Sequence, residues 1–158
     1  MRKALKFFHT LASCGLIGAL VCYMIVLVKA PHGTVSTYAD MRQTISALCN
    51  YLLLPSLGIA LVTGLLSMAV HRPFQDMRWA WVKALLGLSM FESTLAIIQA
   101  KANYAATVST KIAAGEAMAA ELATALSSEW NSLMAIMALS IANIVLGIWR
   151  PPLKNRLS

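Results

Sequence analysis

The sequence predicts an all-α, polytopic membrane protein: an antiparallel four-helix transmembrane bundle forming one domain over residues 1–158, with an extramembrane helical hairpin between spans three and four. Three observations carry this expectation. Hydrophobic residues make up 59% of the chain and charged ones only 12%, about half the ~25% usual in soluble domains. Mean hydropathy is +0.69. The apolar residues also fall into four runs, each long enough to cross a ~30 Å hydrocarbon core as a helix of about 20 residues. Such a composition excludes most soluble enzymes, nucleic-acid binders and disordered chains, so no nucleic-acid partner is expected and the lipid bilayer is the first partner implied.

The first span covers residues 5–28. Arg2, Lys3 and Lys6 precede it as they would a signal peptide, but the apolar stretch is too long and no small-residue cleavage pattern precedes Pro31, so a retained helix is expected. Residues 29–45, with Pro31, Gly33 and scattered Ser and Thr, read as an irregular connection. The second span covers 46–70 and the third 80–101. Residues 102–128 are rich in Ala, with Glu116, Glu121 and a single glycine, Gly115. Alanine is the best helix former, so spans three and four are expected to extend past the membrane and turn near Gly115. The fourth span covers 130–149.

Charge sets the orientation. One side of this four-span arrangement holds Arg2, Lys3, Lys6, Arg72, Arg78, Lys83, Arg150, Lys154 and Arg156 against Asp76; the other holds Lys29, Arg42, Lys101 and Lys111 against Asp40, Glu116, Glu121 and Glu129. Nine basic residues against four place both termini in the cytoplasm by the positive-inside rule. The formal charge of +7 therefore reports topology. Trp79, Trp81, Trp149 and Trp130 fall near the two interfaces, where aromatic belts sit.

Polar residues within the spans carry the functional information, because a charge at mid-bilayer costs ~2.5 to 3.5 kcal/mol on insertion scales. His9 shares a helix face with Ser13 at i+4. Lys83 and Glu92, nine residues apart in span three, lie on opposite faces and cannot pair. Glu92, Ala96, Gln99 and Asn103 line up as a polar stripe, read either as a proton path or as a seam between helices. His9, Ser67, His71, Lys83 and Asn143 belong to the cytoplasmic half; Tyr23, Asn50, Glu92 and Gln99 to the middle or outer half. A neutral imidazole inside a helical bundle can ligate haem iron, and His9 and His71 lie at one depth on different helices. Lys83, Arg72 and Arg78 are placed to receive porphyrin carboxylates. The competing reading has His9 hydrogen-bonded to Asn143 or a backbone carbonyl, His71 at the interface and His32 solvated. Phosphate loops, GxSxG and HExxH motifs and paired carboxylates are lacking. The nine methionines are dispersed, which fits packing better than copper handling. Cys22 and Cys49 share the outer half, where a disulfide is one reading; buried thiols packing as small apolar groups is the favoured one for all three cysteines.

LKFFHTLASCGLIGAL at 5–20, LLLPSLGIALVTGLLSMAV at 52–70 with its LPxxxxxxxTG pattern, and RWAWVKALLGL at 78–88 resemble the first three helices of a superfamily of small bacterial membrane bundles. That group includes HemJ-type protoporphyrinogen oxidase, the membrane domain of copper-resistance protein D, and uncharacterised relatives. The resemblance implies that His9 holds a b-type haem and that Lys83 assists porphyrin oxidation. Cys14, Gly15 and Gly18 stand where HemJ-type proteins carry polar and aromatic residues, which points to the uncharacterised branch. Two functions are thus expected. One is a haem- or porphyrin-binding redox protein, with metal ligand His9, cofactor contacts His71, Arg78 and Asn143, catalytic Lys83, a proton path through Glu92 and Gln99, and a quinone or another membrane redox protein as partner. The other is a non-catalytic accessory or assembly subunit whose outer hairpin and small-residue faces, such as Gly15 with Ala19, dock other helices, homo-oligomers included.

Overall fold

The computed structural model describes residues 2–30, 33–70 and 77–149. These are almost wholly helical, without strands, and form four helices long and apolar enough to cross a membrane. The first is α1 (Arg2–Val28). The second is a 36-residue rod made of α2 (Val35–Leu48), a π-helical turn (Cys49–Leu53) and α3 (Leu54–Val70). The third, also 36 residues, joins α4 (Arg78–Ser93), a π-helical segment (Thr94–Gln99) and α5 (Ala100–Ala113). The fourth runs through α6 (Ala119–Leu126) into α7 (Glu129–Trp149).

The expected irregular connection over 29–45 is corrected: the second helix starts at Val35, well before Ser46. Thr34 has extended backbone and its hydroxyl accepts the Thr37 amide at 3.3 Å, a side-chain N-cap. Met41, Arg42, Ile45 and Cys49 then recur at helical spacing and are all buried. The π turn at Cys49–Leu53 has a local cause. Pro55 lacks an amide hydrogen and its ring crowds the carbonyl four residues back, so the helix widens before it and the Leu54 amide reaches Cys49 O.

Between the third and fourth helices the chain turns at Gly115, whose φ is +98°. Gly115 N–H donates to Ile112 O at 3.0 Å and Glu116 N–H to Lys111 O at 3.1 Å, the paired bonds of a Schellman cap, for which glycine alone is unstrained. The turn therefore falls where the sequence put it.

Helix α1 packs along α3, α2 along α5, and α4 on both α3 and α7. The small-residue face of α1 serves the first contact: Ala19 is fully buried, and a Cβ at Gly15 would stand 2.6 Å from Ser56 Oγ. That face thus docks a helix of its own chain. Leu20, Tyr23, Ile45, Leu53, Met90 and Leu133 form the centre of the core.

Candidate functional site

Helices α1, α3, α4 and α7 enclose a cavity of about 240 Å³ at the end where α1 and α4 begin and α3 and α7 finish. Its wall is mostly apolar, from residues such as Leu57, Leu61, Met68 and Met90. Into it come Lys6, His9, Ser13, Ser67, Lys83 and Asn143, so three of the residues singled out in the sequence as site residues, His9, Lys83 and Asn143, meet in one place.

His9 is half-buried and oriented from both sides. Its Nδ1 lies 2.8 Å from Ala60 O and 3.2 Å from Thr63 Oγ1. The Ala60 carbonyl can only accept, and the Thr63 hydroxyl donates to Ile59 O at 2.6 Å, so Nδ1 carries the proton. Nε2 then presents a lone pair, the tautomer that metal-ligating histidines adopt when their other nitrogen donates to a carbonyl. The ring rests on Gly64, where a Cβ would come within 3.4 Å of Cε1. His9 Nδ1 thus has a backbone-carbonyl partner, which leaves Nε2 open to either reading, and Asn143 makes no hydrogen bond to His9 among the described residues.

Lys83 owes its seat to another glycine, since a Cβ at Gly147 would stand 2.5 Å from the Lys83 amine. Asn143 Nδ2 points to Met90 Sδ at 4.0 Å, and its Oδ1 is buried without a hydrogen-bond partner among the described residues. Ser13 and Ser67 return their hydroxyls to His9 O and Thr63 O, at 2.8 and 2.7 Å.

Other expected site residues fall elsewhere. Arg78 is exposed and does not line the cavity. His71, His32 and Arg72 lie outside the described residues. The Glu92–Gln99 stripe is broken: the π segment Thr94–Gln99 lies within it, and the extra residue per turn rotates the helix beyond it. Glu92 and Ala96 remain on the exposed side. Gln99 instead donates to Asn50 Oδ1 at 2.7 Å, and Asn50 to Asn103 Oδ1 at 2.9 Å, so both amides belong to a seam between the two long rods. Trp79 is buried against the cavity with Nε1 on Met77 Sδ at 3.1 Å, whereas Trp81, Trp130 and Trp149 are exposed as belt residues would be. All three cysteines are free, so Cys22 and Cys49 do not pair; Cys49 is buried, but Cys14 and Cys22 are exposed, against the expectation of buried thiols.

Two features escaped the sequence reading. Lys6 joins the cavity, one helical turn before His9, a spacing that could have revealed it. At the opposite end, Arg42 and Glu129, counted in the sequence as loop charges, form a buried ion pair at 2.7 Å. Tyr23 donates to the same Glu129 oxygen at 2.6 Å, and the guanidinium donates twice to Tyr38 Oη at 2.8 and 3.0 Å.

No protein-family model matches the chain, and neither the curated proteins nor the solved structures compared with it give a match. Among the described residues there is no group of three or more His, Cys, Asp or Glu side chains that could hold a metal ion.

Proposed function

We propose that this chain is an integral membrane protein that binds haem b or a related porphyrin and takes part in redox chemistry, as the resemblance to the HemJ-type superfamily implies. The observation that carries the reading is the state of His9: an Nδ1–H fixed on a carbonyl, in an apolar cavity that also receives two lysines. A histidine that holds haem iron would use the Nε2 lone pair, and the carboxylates of a porphyrin would need cations. His9 would ligate the iron, and Lys6 and Lys83 would receive carboxylates. Asn143 lines the same cavity. When bound, the group would supply one-electron chemistry, with a quinone or another membrane redox protein as partner. The enclosed volume of about 240 Å³ lies below the ~300 to 1,000 Å³ of ordinary cofactor pockets. The residues present therefore fit the ligand's metal and acid groups, and the cavity as it stands is smaller than a whole porphyrin would need.

The topology belongs to the same proposal. The four long helices form an antiparallel bundle across a bacterial inner membrane, with the cavity end and both termini in the cytoplasm and the Gly115 hairpin outside. The basic residues Lys3, Lys6, Arg78 and Lys83 gather at the cavity end, which supports that orientation.

A visible spectrum tests the function. Protein expressed with haem supplied and purified in mild detergent should show a Soret band, lost in His9→Ala and kept in His32→Ala. A colourless wild type refutes the reading and leaves the accessory or assembly subunit in its place.

A further inference from the structure

One side of the cavity is not closed by helix packing. Of the four seams around it, three are drawn tight at glycines, where backbones approach closely. Gly15 stands against Ser56 and Gly64 against His9 between α1 and α3, Gly58 against Phe91 and Gly87 against Leu61 between α3 and α4, and Gly147 against Lys83 between α4 and α7. The fourth seam, between α1 and α7, has no such contact among the described residues. The Tyr23–Glu129 hydrogen bond pins it at the far end, and α1 packs far less on α7 than on α3.

The side chains along this seam mark it as a mouth. Lys6, Ser13 and Ile17 line the cavity and recur at i, i+7 and i+11 on one edge of α1. Gly15, two residues from both Ser13 and Ile17, falls on roughly the opposite edge at ~100° per residue, so these three are turned away from α3. Leu133, Ser140 and Ile144 repeat the spacing on α7, and Leu133 shares a small cleft with Tyr23 of α1. Lys6 and Ile144 are exposed as well as cavity-lining, and a residue that touches both the enclosed space and the outside lies at an opening. Leu65 also does both, but it lies one turn from Leu61, where Gly87 holds α4 against α3.

This mouth faces lipid. Ile144 precedes Trp149 by five residues, about 7.5 Å of helix at ~1.5 Å per residue, so with exposed Trp149 in the interfacial belt it stands inside the hydrocarbon. Lys6 forms the opposite lip, and its side chain leans back toward the start of α1, which carries the amine to headgroup level.

We infer that the cavity takes its ligand sideways from the bilayer, between α1 and α7, and that this ligand is a membrane-dissolved amphiphile whose acid group stays at headgroup level on Lys6 while its apolar body passes Ile144. The inference rests on the membrane reading above and deepens it: the part of a porphyrin too large for the enclosed space would occupy the mouth. The route itself depends on neither iron nor His9.

The test uses the full chain in liposomes and two photolabels, an apolar aryl diazirine dissolved in the bilayer and a charged, water-soluble one, with labelled residues found by peptide mass spectrometry. Met90 is buried and lines the cavity; Leu53 is buried and does not. The apolar label should mark Met90 and exposed Val21 but not Leu53, and the charged label should mark none of them. Ile144→Trp should lower apolar labelling of Met90 several-fold, whereas Leu65→Trp should leave it unchanged; constant labelling of Val21 and silence at Leu53 check that each variant is folded. Met90 as silent as Leu53 in the wild type, Met90 marked by the charged label, or no loss with Ile144→Trp would each overturn the route. A missing Soret band bears on haem alone, and labelling of Met90 then still decides how the cavity is reached.

Discussion

Replacing Glu129 with leucine should be among the most damaging changes in the protein. Glu129 is the first residue of α7, Tyr23 belongs to α1, and Arg42 to α2, so one carboxylate oxygen ties three helices together. Arg42 is only 3% exposed. Removing its partner leaves a buried guanidinium held by Tyr38 alone, and breaking a buried pair in this way costs ~3 to 5 kcal/mol. Arg42→Met should cost about 1 kcal/mol less. The carboxylate it leaves behind keeps the Tyr23 hydroxyl and sits at a helix N-terminus, where the backbone dipole favours negative charge. The double variant should recover much of the loss, because hydrophobic residues of similar volume often replace a buried pair at little cost. The measurement is SDS-driven unfolding in mixed micelles, followed by tryptophan fluorescence, for the wild type, both single variants and the double variant. A coupling energy of roughly 2 to 3 kcal/mol is expected. If the two single losses simply add, the pair does not act as a unit and the reasoning fails.

Two further outcomes test the seam and the cavity. Asn50→Leu removes the acceptor of Gln99 and a donor to Asn103, so stability in the same assay should fall by about 1 to 3 kcal/mol at ~0.6 to 1.7 kcal/mol per interhelical bond; an unchanged midpoint would show that the amides find other partners. Gly147→Ala should leave stability within about 0.5 kcal/mol, since the crowded atom is the tip of a flexible side chain, but it should displace the Lys83 amine. Labelling by a membrane-permeant amine reagent should change several-fold at Lys83 and stay constant at Lys101, and an unchanged Lys83 rate would mean that Gly147 does not seat the lysine.

The helices were legible because their signals are local. Four apolar runs mark the long helices, and Gly115 marks the turn between the last two. The register of those helices was not legible in the same way. A pattern drawn at 100° per residue assumes an unbroken α-helix, and both 36-residue rods contain a π segment. That is why Glu92 and Gln99, one stripe on paper, part company in three dimensions. His9, Lys83 and Asn143, grouped in the sequence by counting residues along the helices, do line one cavity, because such counting is insensitive to rotation. Arg42 and Glu129 were misplaced for the converse reason. Charge counting assigns residues to loops by their chemistry, but 87 residues separate these two and only tertiary packing makes them partners.

The polar side chains differ in kind between the two ends of the molecule. At the Glu129 end every member of the Tyr23, Tyr38, Arg42 and Glu129 network has a protein partner, and such fully paired networks fix which helices meet and in what register. The amide seam around Asn50 continues that specification along the two rods. At the cavity end the backbone is cut back to glycine at positions 64, 87 and 147, and His9, Lys83 and Asn143 line the space. Leaving Asn143 Oδ1 unpaired works against stability, since a buried acceptor without a donor costs ~1 to 3 kcal/mol. Thr94 Oγ1 and Ser109 Oγ are likewise buried without a partner among the described residues. Asn143→Leu should therefore stabilise the protein in the SDS assay by about 1 to 3 kcal/mol, and a lowered midpoint would show that the amide is held by contacts beyond Met90.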